Sequence, residues 1–380
     1  MEQISREVRE DLLARGINRR AFGRMSAWLT AAASMPFYSE HALAQLSGAA
    51  VLPPGAVKIN GNESPYGPCK EALQAMANAA AEGNRYQHDL AIAFAKLIAE
   101  QEGVKPEYVQ AYGGSSDPLH RASLAFTSPA KSLVMGSPGY EPSAMAAKFM
   151  GAKAHMVPLT ASLAHDVKAM AKADSDAGLL YICNPNNPTG SITPTEDIDW
   201  LVENKPKGSV LLLDECYIQF SNQPKRSDLV VKDKEVIILR SLSKLYGMAG
   251  VRAGYAMGRP DLLAKLRPWG VGMIPATGMA AGIASLKSET LEKERRAMNA
   301  RVRSETFEFL EKKTAKFNRS EANCFMLDCK TDPEPIRAAF AKELIYVGRV
   351  WPAWPTAFRM TVGSPEEMKK FQTAYGKIFG

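Results

Sequence analysis

Four short apolar runs, each followed at once by polar or small residues, constrain the fold of this chain more than any other feature. The runs are residues 109–112, 179–183, 210–213 and 236–239, and stretches with helical patterning separate them. Buried strands that alternate with helices form a largely parallel sheet covered by helices. Ligands of such sheets bind at the carboxyl ends of the strands. We therefore expect the loops after these runs to form one site.

The pattern changes near residue 286, where a long charged helix, residues 288–316, leads into short strands and a closing helix. The expected strands are residues 324–327, 345–347 and 358–362, and the last helix is residues 365–379. We therefore predict an α/β fold in two parts. A large domain with a mostly parallel sheet spans residues 86–285, a smaller α+β domain spans residues 286–380, and residues 45–85 form an N-terminal arm.

Composition excludes several classes of protein. The chain has 380 residues, of which 46% are hydrophobic, so it is neither disordered nor fibrous. Its 47 Lys and Arg outnumber its 40 Asp and Glu and give a net charge of +7, but they are scattered, and we expect no nucleic-acid partner. The five cysteines are widely spaced, which predicts neither a disulfide framework nor a metal site. No apolar run approaches the roughly 20 residues of a membrane span.

The first 44 residues are patterned like an export signal. Arg19 and Arg20 precede a mildly apolar stretch, residues 25–35, and residues 42–44 (Ala-Leu-Ala) form the small-x-small site that signal peptidase cuts. The paired arginines resemble a twin-arginine signal, whose route carries folded proteins. We therefore expect export of the protein to the periplasm. The alternative is a cytoplasmic protein whose N-terminus is an amphipathic helix.

The loop after the first run is rich in glycine and serine, and a helix is expected to begin there. It reads Gly-Gly-Ser-Ser-Asp over residues 113–117, and Gly114, Ser115 and Ser116 are the candidate ligands. Free N–H groups at the start of a helix bind anions, and small residues let a phosphate approach closely. Such loops also cap helices throughout proteins, so this signal alone is weak.

The loops after the other three runs hold an amide, a carboxylate and a lysine. Asn187 lies between two prolines in a segment that also suits a turn, and Asp214 follows four apolar residues. A carboxylate at such a position is costly unless it is paired, and a cationic heterocycle nitrogen would be one partner. Tyr217 could reach the same ring. Lys244, after Ser241 and Ser243, can become a Schiff-base nucleophile if it is partly desolvated.

Together these groups match the requirements of pyridoxal phosphate. This cofactor needs a lysine for its aldehyde and an acidic partner for its ring nitrogen. It also needs donors for its phenolic oxygen, a cradle for its phosphate and a flat group against its ring. Tyr140 can supply the flat group, and Arg252 adds a positive charge shortly after Lys244.

In the order and spacing of these motifs, residues 58–380 resemble the fold-type-I pyridoxal-phosphate aminotransferases, and within them the histidinol-phosphate aminotransferase branch. The resemblance implies the fold of aspartate aminotransferase. It also implies transfer of an amino group, by a ping-pong mechanism, between an L-amino acid or a histidinol-phosphate-like amine and a 2-oxo acid. The implied catalytic residues are Lys244, Asp214 and Tyr217. The implied cofactor ligands are Gly114, Ser115, Ser116, Tyr140, Asn187, Asp214, Tyr217, Ser241, Ser243, Lys244, Arg252 and Tyr86.

The resemblance implies substrate ligands and a partner subunit as well. Arg359 resembles the family's arginine that holds the substrate α-carboxylate with a bidentate fork. Arg349 resembles a second arginine that meets the far end of the substrate, and Tyr66 and Asn187 are the other implied substrate ligands. Tyr86 resembles the tyrosine that reaches the cofactor phosphate of the neighbouring subunit. A homodimer to which the N-terminal arm contributes is therefore expected.

Three departures from the branch concern the substrate more than the reaction. Ser64 stands where the branch usually has Asn, and Gln87 stands where it usually has Pro. Trp351 and Trp354 place two indoles beside Arg349, where the family's loop is less bulky. These indoles either wall an apolar or aromatic side-chain pocket or pack the interface between the domains.

Several other functions were weighed against transamination. A decarboxylase or lyase with the same cofactor is the main alternative, since the bond that breaks depends on substrate orientation. Residues 241–244 match the S-x-x-K motif of serine hydrolases, but the Ser-Asp-Asn and Lys-Thr-Gly companions are missing. No G-x-G-x-x-G supports a nicotinamide dehydrogenase. Retention of Lys244, Asp214 and Arg359 argues against a non-enzymatic protein. Because histidine biosynthesis is cytoplasmic, an exported enzyme, loaded with cofactor before export, would act on another amine.

Overall fold

The strands expected at the centre of the fold form one seven-stranded sheet. The computed structural model describes residues 52–270, 272 and 274–380. The expected export signal, residues 1–44, lies outside the described residues. The strands are β1 (Val57–Ile59), β2 (Val109–Tyr112), β3 (Leu133–Ser137), β4 (Ala154–Pro158), β5 (Leu179–Cys183), β6 (Val210–Asp214), β7 (Val236–Ser241), β8 (Gly254–Gly258), β9 (Lys316–Phe317), β10 (Cys324–Asp328), β11 (Ile345–Val347), β12 (Val350–Trp351) and β13 (Trp354–Thr361).

The order of the large sheet is β2-β8-β7-β6-β5-β3-β4. Strands β3 to β7 are mutually parallel, whereas β8 is antiparallel to both of its neighbours. Every residue of β5, β6 and β7 is buried. Since successive side chains of a strand point to opposite faces, both faces of the sheet centre are covered, as is typical of parallel sheets. The carboxyl ends of these strands therefore meet at one edge.

Helices connect and cover the strands, as the alternating pattern predicts. They are α1 (Lys70–Ala81), α2 (His88–Glu102), α3 (Ser116–Phe126), α4 (Pro142–Phe149), α5 (Val167–Lys172), α6 (Thr195–Asn204), α7 (Ser227–Val231), α8 (Pro260–Ala264), α9 (Ala276–Leu286), α10 (Leu291–Lys312), α11 (Glu334–Lys342) and α12 (Pro365–Phe379). Among the helices that the structure describes, none combines the length and the apolar character that crossing a bilayer requires.

The C-terminal part builds a second, smaller sheet with its own core. Strand order is β12-β13-β10-β9, all antiparallel, while β1 from the N-terminal arm pairs in parallel with β11. A separate cluster of buried residues fills this part, with Phe325, Phe340, Phe358 and Phe371 among the largest. Helix α12 begins at a capping box, in which Ser364 and Glu367 satisfy each other's backbone N–H groups.

Two elements differ from the sequence expectation for local reasons. The long charged helix is shorter than residues 288–316, because Thr314 adopts a left-handed φ of 52° and residues 316–317 pair with β10. Strand β8 was not expected, because it begins and ends with glycine. Gly254 is nevertheless required there, since a β-carbon would approach Gly114 and the Arg240 carbonyl to within 3 Å.

A buried ion cluster holds the ends of β6 and β7 together. The Arg240 guanidinium is fully buried; its Nε and Nη2 donate to Glu215 Oε2 at 2.9 and 2.7 Å, and its Nη1 lies 2.5 Å from Glu102. Glu215 follows directly after β6, and Arg240 directly precedes Ser241, the last residue of β7. A paired buried charge is strongly destabilised by removal of one partner, so this cluster fixes the positions from which Asp214 and Lys244 extend.

Candidate active site

Asp214 ends β6 at the carboxyl edge of the sheet, where its carboxylate is almost completely buried at 2% exposure. The Tyr181 hydroxyl donates to Oδ2 at 3.1 Å, and the Cys216 N–H donates to Oδ1 at 3.1 Å. Burial raises the pKa of Asp214 to about 6, although these hydrogen bonds and the nearby Lys244 ammonium lower it. The carboxylate is thus ionised at neutral pH, but it needs a cation to offset its desolvation.

Lys244 lies in the loop after β7, half-buried beside the same edge. Its Nζ is 5.8 Å from the centre of the Tyr217 ring. The Asn62 amide donates to the Tyr217 hydroxyl at 3.0 Å, and burial raises the pKa of Tyr217 well above its usual value. Tyr217 therefore keeps its proton and can donate it to an oxygen of a ligand.

The Gly-Ser loop after β2 forms a cradle for an anion. Gly114 has a φ of 97°, and a β-carbon there would collide with the Arg252 guanidinium. Arg252 donates to the Ser243 hydroxyl at 3.3 Å, and the Ser243 N–H donates to the Ser241 hydroxyl at 3.1 Å. Ser116 begins helix α3, with Ser115 before it. A helix N-terminus, an arginine and several hydroxyls thus converge, as a phosphate requires.

Two arginines of the C-terminal part, Arg349 and Arg359, both lie near the indole of Trp351. Arg359, which is buried on β13, donates to Asn187 Oδ1 at 3.0 Å and to the Asn60 carbonyl at 2.8 Å. Among the described residues, its Nε has no hydrogen-bond partner. Its guanidinium carbon lies 5.3 Å from the centre of the Trp351 ring, and that of Arg349 lies 3.7 Å from it. Arg359 therefore offers a buried positive charge and a free donor, which suits a carboxylate.

The structure places the remaining candidates less centrally. Tyr140 is half-buried. Burial, and next the Asp214 charge, raise the pKa of Tyr181 well above its usual value, and Tyr140 adds a smaller contribution. Tyr66 is at the surface, where the Arg295 guanidinium lies 5.6 Å from its ring centre. Tyr86 is 72% exposed and its ring stacks on His88, so within one chain it does not line the buried site.

Some residues of the site escaped the sequence analysis. Tyr181 sits on β5 among apolar residues, where a buried tyrosine hydroxyl needs a partner on the neighbouring strand, here Asp214. Asn62 reaches Tyr217 from the arm, across 155 residues of sequence, and this contact leaves no local signal.

Three side chains at the ends of β5 and β6 form a further cluster. The Asp214 carboxylate and the thiols of Cys183 and Cys216 lie within 4.8 Å of one another, a set that could hold a metal ion. Cys183 lies on β5 and Asp214 on the neighbouring strand β6, so their proximity depends on strand pairing and cannot be predicted from their spacing in the sequence.

The donor set fits pyridoxal phosphate. The buried, desolvated carboxylate of Asp214 suits the protonated ring nitrogen, while Tyr217 suits the phenolic oxygen. The cradle around Gly114 suits the phosphate, and Lys244 suits the aldehyde. All of these groups follow strands of the large sheet at its carboxyl edge, where a ligand is expected in this fold.

Comparison with known proteins agrees with this fit. The chain matches the family model of aminotransferase class I and II over residues 54–374. It is 30% identical to histidinol-phosphate aminotransferase from Symbiobacterium thermophilum, covering 85% of this chain and 91% of the relative. It is also 30% identical to histidinol-phosphate aminotransferase 2 from Haemophilus influenzae strain 86-028NP, covering 85% of this chain and 89% of that protein.

Solved structures extend the likeness to the whole fold. Histidinol-phosphate aminotransferase from Sinorhizobium meliloti, in complex with pyridoxal-5'-phosphate, superposes with a TM-score of 0.80 at 25% identity and covers 91% of this chain and 95% of its own. Aspartate aminotransferase from Thermus thermophilus with maleate is similar in fold, with a TM-score of 0.75 at 19% identity, covering 85% of this chain and 91% of its own.

These findings confirm the predicted fold class, cofactor and reaction type, and the serine hydrolase and dehydrogenase alternatives are wrong. The chain belongs to the class I and II aminotransferase family, and it is a pyridoxal-phosphate-dependent transaminase.

Proposed function

We propose that the catalytic centre of this transaminase consists of Lys244, Asp214 and Tyr217. The observation that carries the proposal is the burial of the Asp214 carboxylate at the edge that also presents Lys244. Asp214 keeps the cofactor's ring nitrogen protonated, and Tyr217, together with Asn187, donates to its phenolic oxygen. Lys244 would hold the cofactor through its aldehyde.

The phosphate is proposed to bind in the cradle around Gly114. Backbone N–H groups of Ser115 and Ser116 at the start of α3, the hydroxyls of Ser241 and Ser243, and the Arg252 guanidinium are its ligands. The hydrogen bond from Arg252 to Ser243 and the collision that any β-carbon at Gly114 would cause support this assignment. Tyr140 covers one face of the ring.

Arg359 is proposed to orient the substrate by holding its α-carboxylate. With the cofactor bound, Lys244 would act as the general base that accepts the proton from the substrate α-carbon and passes it on. Bound pyridoxal phosphate supplies the electron sink that makes this proton acidic. The donor is an L-amino acid or a histidinol-phosphate-like amine and the acceptor a 2-oxo acid. Since they react in turn at one site, the kinetics are ping-pong.

Replacement of Lys244 tests this centre. We expect the wild-type holoenzyme to lose its visible cofactor band when an amino donor is added without an acceptor, which is the ping-pong half-reaction. Lys244→Ala should slow this change by about 10³-fold, because it removes the base that transfers the proton. Rapid-scanning absorption spectroscopy measures the rate. Lys168→Ala, an exposed lysine on α5, is the control, and equal rates in the two variants would contradict the assignment.

The pKa of Asp214 predicts a pH dependence of stability in the cofactor-free protein. The folded pKa is about 6 against an ordinary value of 3.8, so the folded state holds the proton more tightly than the unfolded state. As pH rises from about 4.5 to about 7, wild type should therefore lose about 2 kcal/mol of unfolding free energy relative to Asp214→Asn. Urea denaturation measures this difference, and a difference that stays constant with pH would contradict the raised pKa.

A homodimer is proposed as the assembly that completes the site. Three large apolar side chains are exposed on or beside α1 and α2, namely Leu73, Tyr86 and Ile92. Large exposed apolar patches often mark sites of contact with another protein chain. In the family that the sequence resembles, a tyrosine in the position of Tyr86 reaches the partner's cofactor phosphate. A partner subunit would cover these side chains and account for their exposure.

Mixing two inactive variants tests the shared site. If Lys244 and Tyr86 of different subunits serve one site, Lys244→Ala and Tyr86→Ala should each be impaired at limiting cofactor. Random reassociation of the two should restore roughly a quarter of wild-type activity, because each mixed dimer contains one native site. Activity assays after unfolding and refolding the mixture measure the recovery. Absence of recovery, or a monomer in sedimentation, would count against the dimer.

Export by the twin-arginine route is proposed for residues 1–44. Its support is the sequence around Arg19 and Arg20 and the small-residue site at residues 42–44. In a bacterium with this route, wild type should appear in the periplasm shortened and loaded with cofactor. Arg19→Lys with Arg20→Lys should leave it full-length in the cytoplasm, whereas Arg15→Lys with Arg24→Lys should not. Cell fractionation followed by immunoblotting measures the location and length of each variant. Wild type that stays in the cytoplasm would contradict the proposal.

A further inference from the structure

An ion pair within the chain lies near Arg359, the proposed α-carboxylate ligand. Arg349 Nη2 donates to Glu141 Oε2 at 2.5 Å, and the two side chains are only 12% and 21% exposed. The guanidinium carbon of Arg349 also lies 3.7 Å from the centre of the Trp351 ring. Arg349 therefore contacts both the Glu141 carboxylate and the Trp351 ring, and the carboxylate balances its positive charge.

The position of this ion pair connects it to the substrate. Glu141 is the neighbour of Tyr140, the residue proposed to cover the cofactor ring. Trp351, against which Arg349 packs, is also 5.3 Å from the guanidinium carbon of Arg359, the proposed α-carboxylate ligand. Burial is the main cause that lowers the pKa of Arg359. Arg349 lowers this pKa further, whereas Glu141 raises it. The ion pair therefore lies close to the place where a substrate anchored at Arg359 would bind.

The indole is held by the large sheet rather than left free to move. Trp351 Nε1 donates to the Gly139 carbonyl at 3.0 Å, in the same loop as Glu141. Gly139 has no room for a side chain, because a β-carbon would collide with the Gly136 carbonyl. The loop and the β12–β13 hairpin thus meet through two contacts, Trp351 with Gly139 and Arg349 with Glu141. Moving Arg349 toward a substrate anion would break one of these contacts.

The charge at the far end of the substrate determines the free-energy cost of binding it beside the ion pair of Arg349 and Glu141. A distal phosphate or carboxylate would either displace Glu141 from Arg349 or bind beside it. In both cases the partly buried Glu141 carboxylate would lie next to a like charge, and in the first it would also lose its partner. An uncharged side chain imposes neither cost. Specificity of this kind comes from a group that opposes the wrong ligand.

We propose that Glu141 is a specificity-determining residue: by holding Arg349 it directs this enzyme to amino acids and 2-oxo acids with uncharged side chains. Substrates with a distal phosphate or carboxylate are disfavoured. The inference rests on the proposed function, since it takes Arg359 as the anchor of the α-carboxylate. It departs from the role that resemblance to the family implies for Arg349, which is to bind the far end of the substrate.

The half-reaction tests this inference. Rates of loss of the cofactor band are measured with L-phenylalanine and L-leucine as uncharged donors, and with L-glutamate and histidinol phosphate as anionic donors. Wild type should prefer the uncharged donors in kcat/KM. Glu141→Gln frees Arg349 while keeping the shape of the side chain, so the ratio of anionic to uncharged kcat/KM should rise about tenfold or more, equivalent to about 1.4 kcal/mol. Glu141→Asp, which keeps the charge, should resemble wild type.

A matched control distinguishes the role of Glu141 from a general effect of charge. Glu334→Gln removes a carboxylate that also pairs with an arginine, Arg337, but on α11 in the small domain. Its donor ratio should equal that of wild type. An unchanged ratio in Glu141→Gln, or a wild-type preference for glutamate or histidinol phosphate, overturns the inference.

Failure of the inference is distinguishable from failure of the proposed function. If no donor changes the cofactor band, or if Lys244→Ala reacts like wild type, the proposed catalytic centre is wrong. If donors react in a way that depends on Lys244, but the ratio of anionic to uncharged kcat/KM is the same in wild type and Glu141→Gln, only the inference is wrong. Wild-type preference alone can decide against it, so the test does not depend on the folding of the Glu141 variants.

Discussion

The desolvated carboxylate of Asp214 is the constraint on which the rest of the site depends. It lies at the end of a strand whose residues are all buried, and burial raises its pKa to about 6. Two hydrogen bonds, from Tyr181 and from the Cys216 N–H, offset only part of the cost of a buried charge. A cationic ring nitrogen offsets the remainder, which is why a pyridine cofactor fits here.

The substrate side of the site is built by contacts between the two parts of the described chain. Arg359 of β13 donates to Asn187 after β5, and Asn62 of the arm donates to Tyr217 after β6. Arg349 likewise pairs with Glu141. Each contact joins the small sheet or the arm to a loop at the carboxyl edge of the large sheet. Under the proposed function, the large sheet carries the catalytic residues and the small part contributes the substrate ligands.

The sequence predicts the elements whose patterns are local. Strands β2, β5 and β11 and helix α12 occur where their periodicity and caps place them, and the loops after β2, β5, β6 and β7 hold most candidate ligands. Strand β8 depends on its neighbours rather than on its own residues. Tyr181 and Glu141 likewise act through partners distant in sequence, Asp214 and Arg349, and pairing across strands and domains leaves no local signal.

Chemical capture of the cofactor is the measurement that tests the central claim most directly. Borohydride reduction of the purified holoenzyme, followed by proteolysis and mass spectrometry, locates the lysine that binds the cofactor's aldehyde. The arrangement of Asp214, Tyr217 and Lys244 at one sheet edge predicts a single pyridoxyl-phosphate mass increment on the peptide that contains Lys244. An increment on another lysine, or none in a protein that binds the cofactor, would contradict the account.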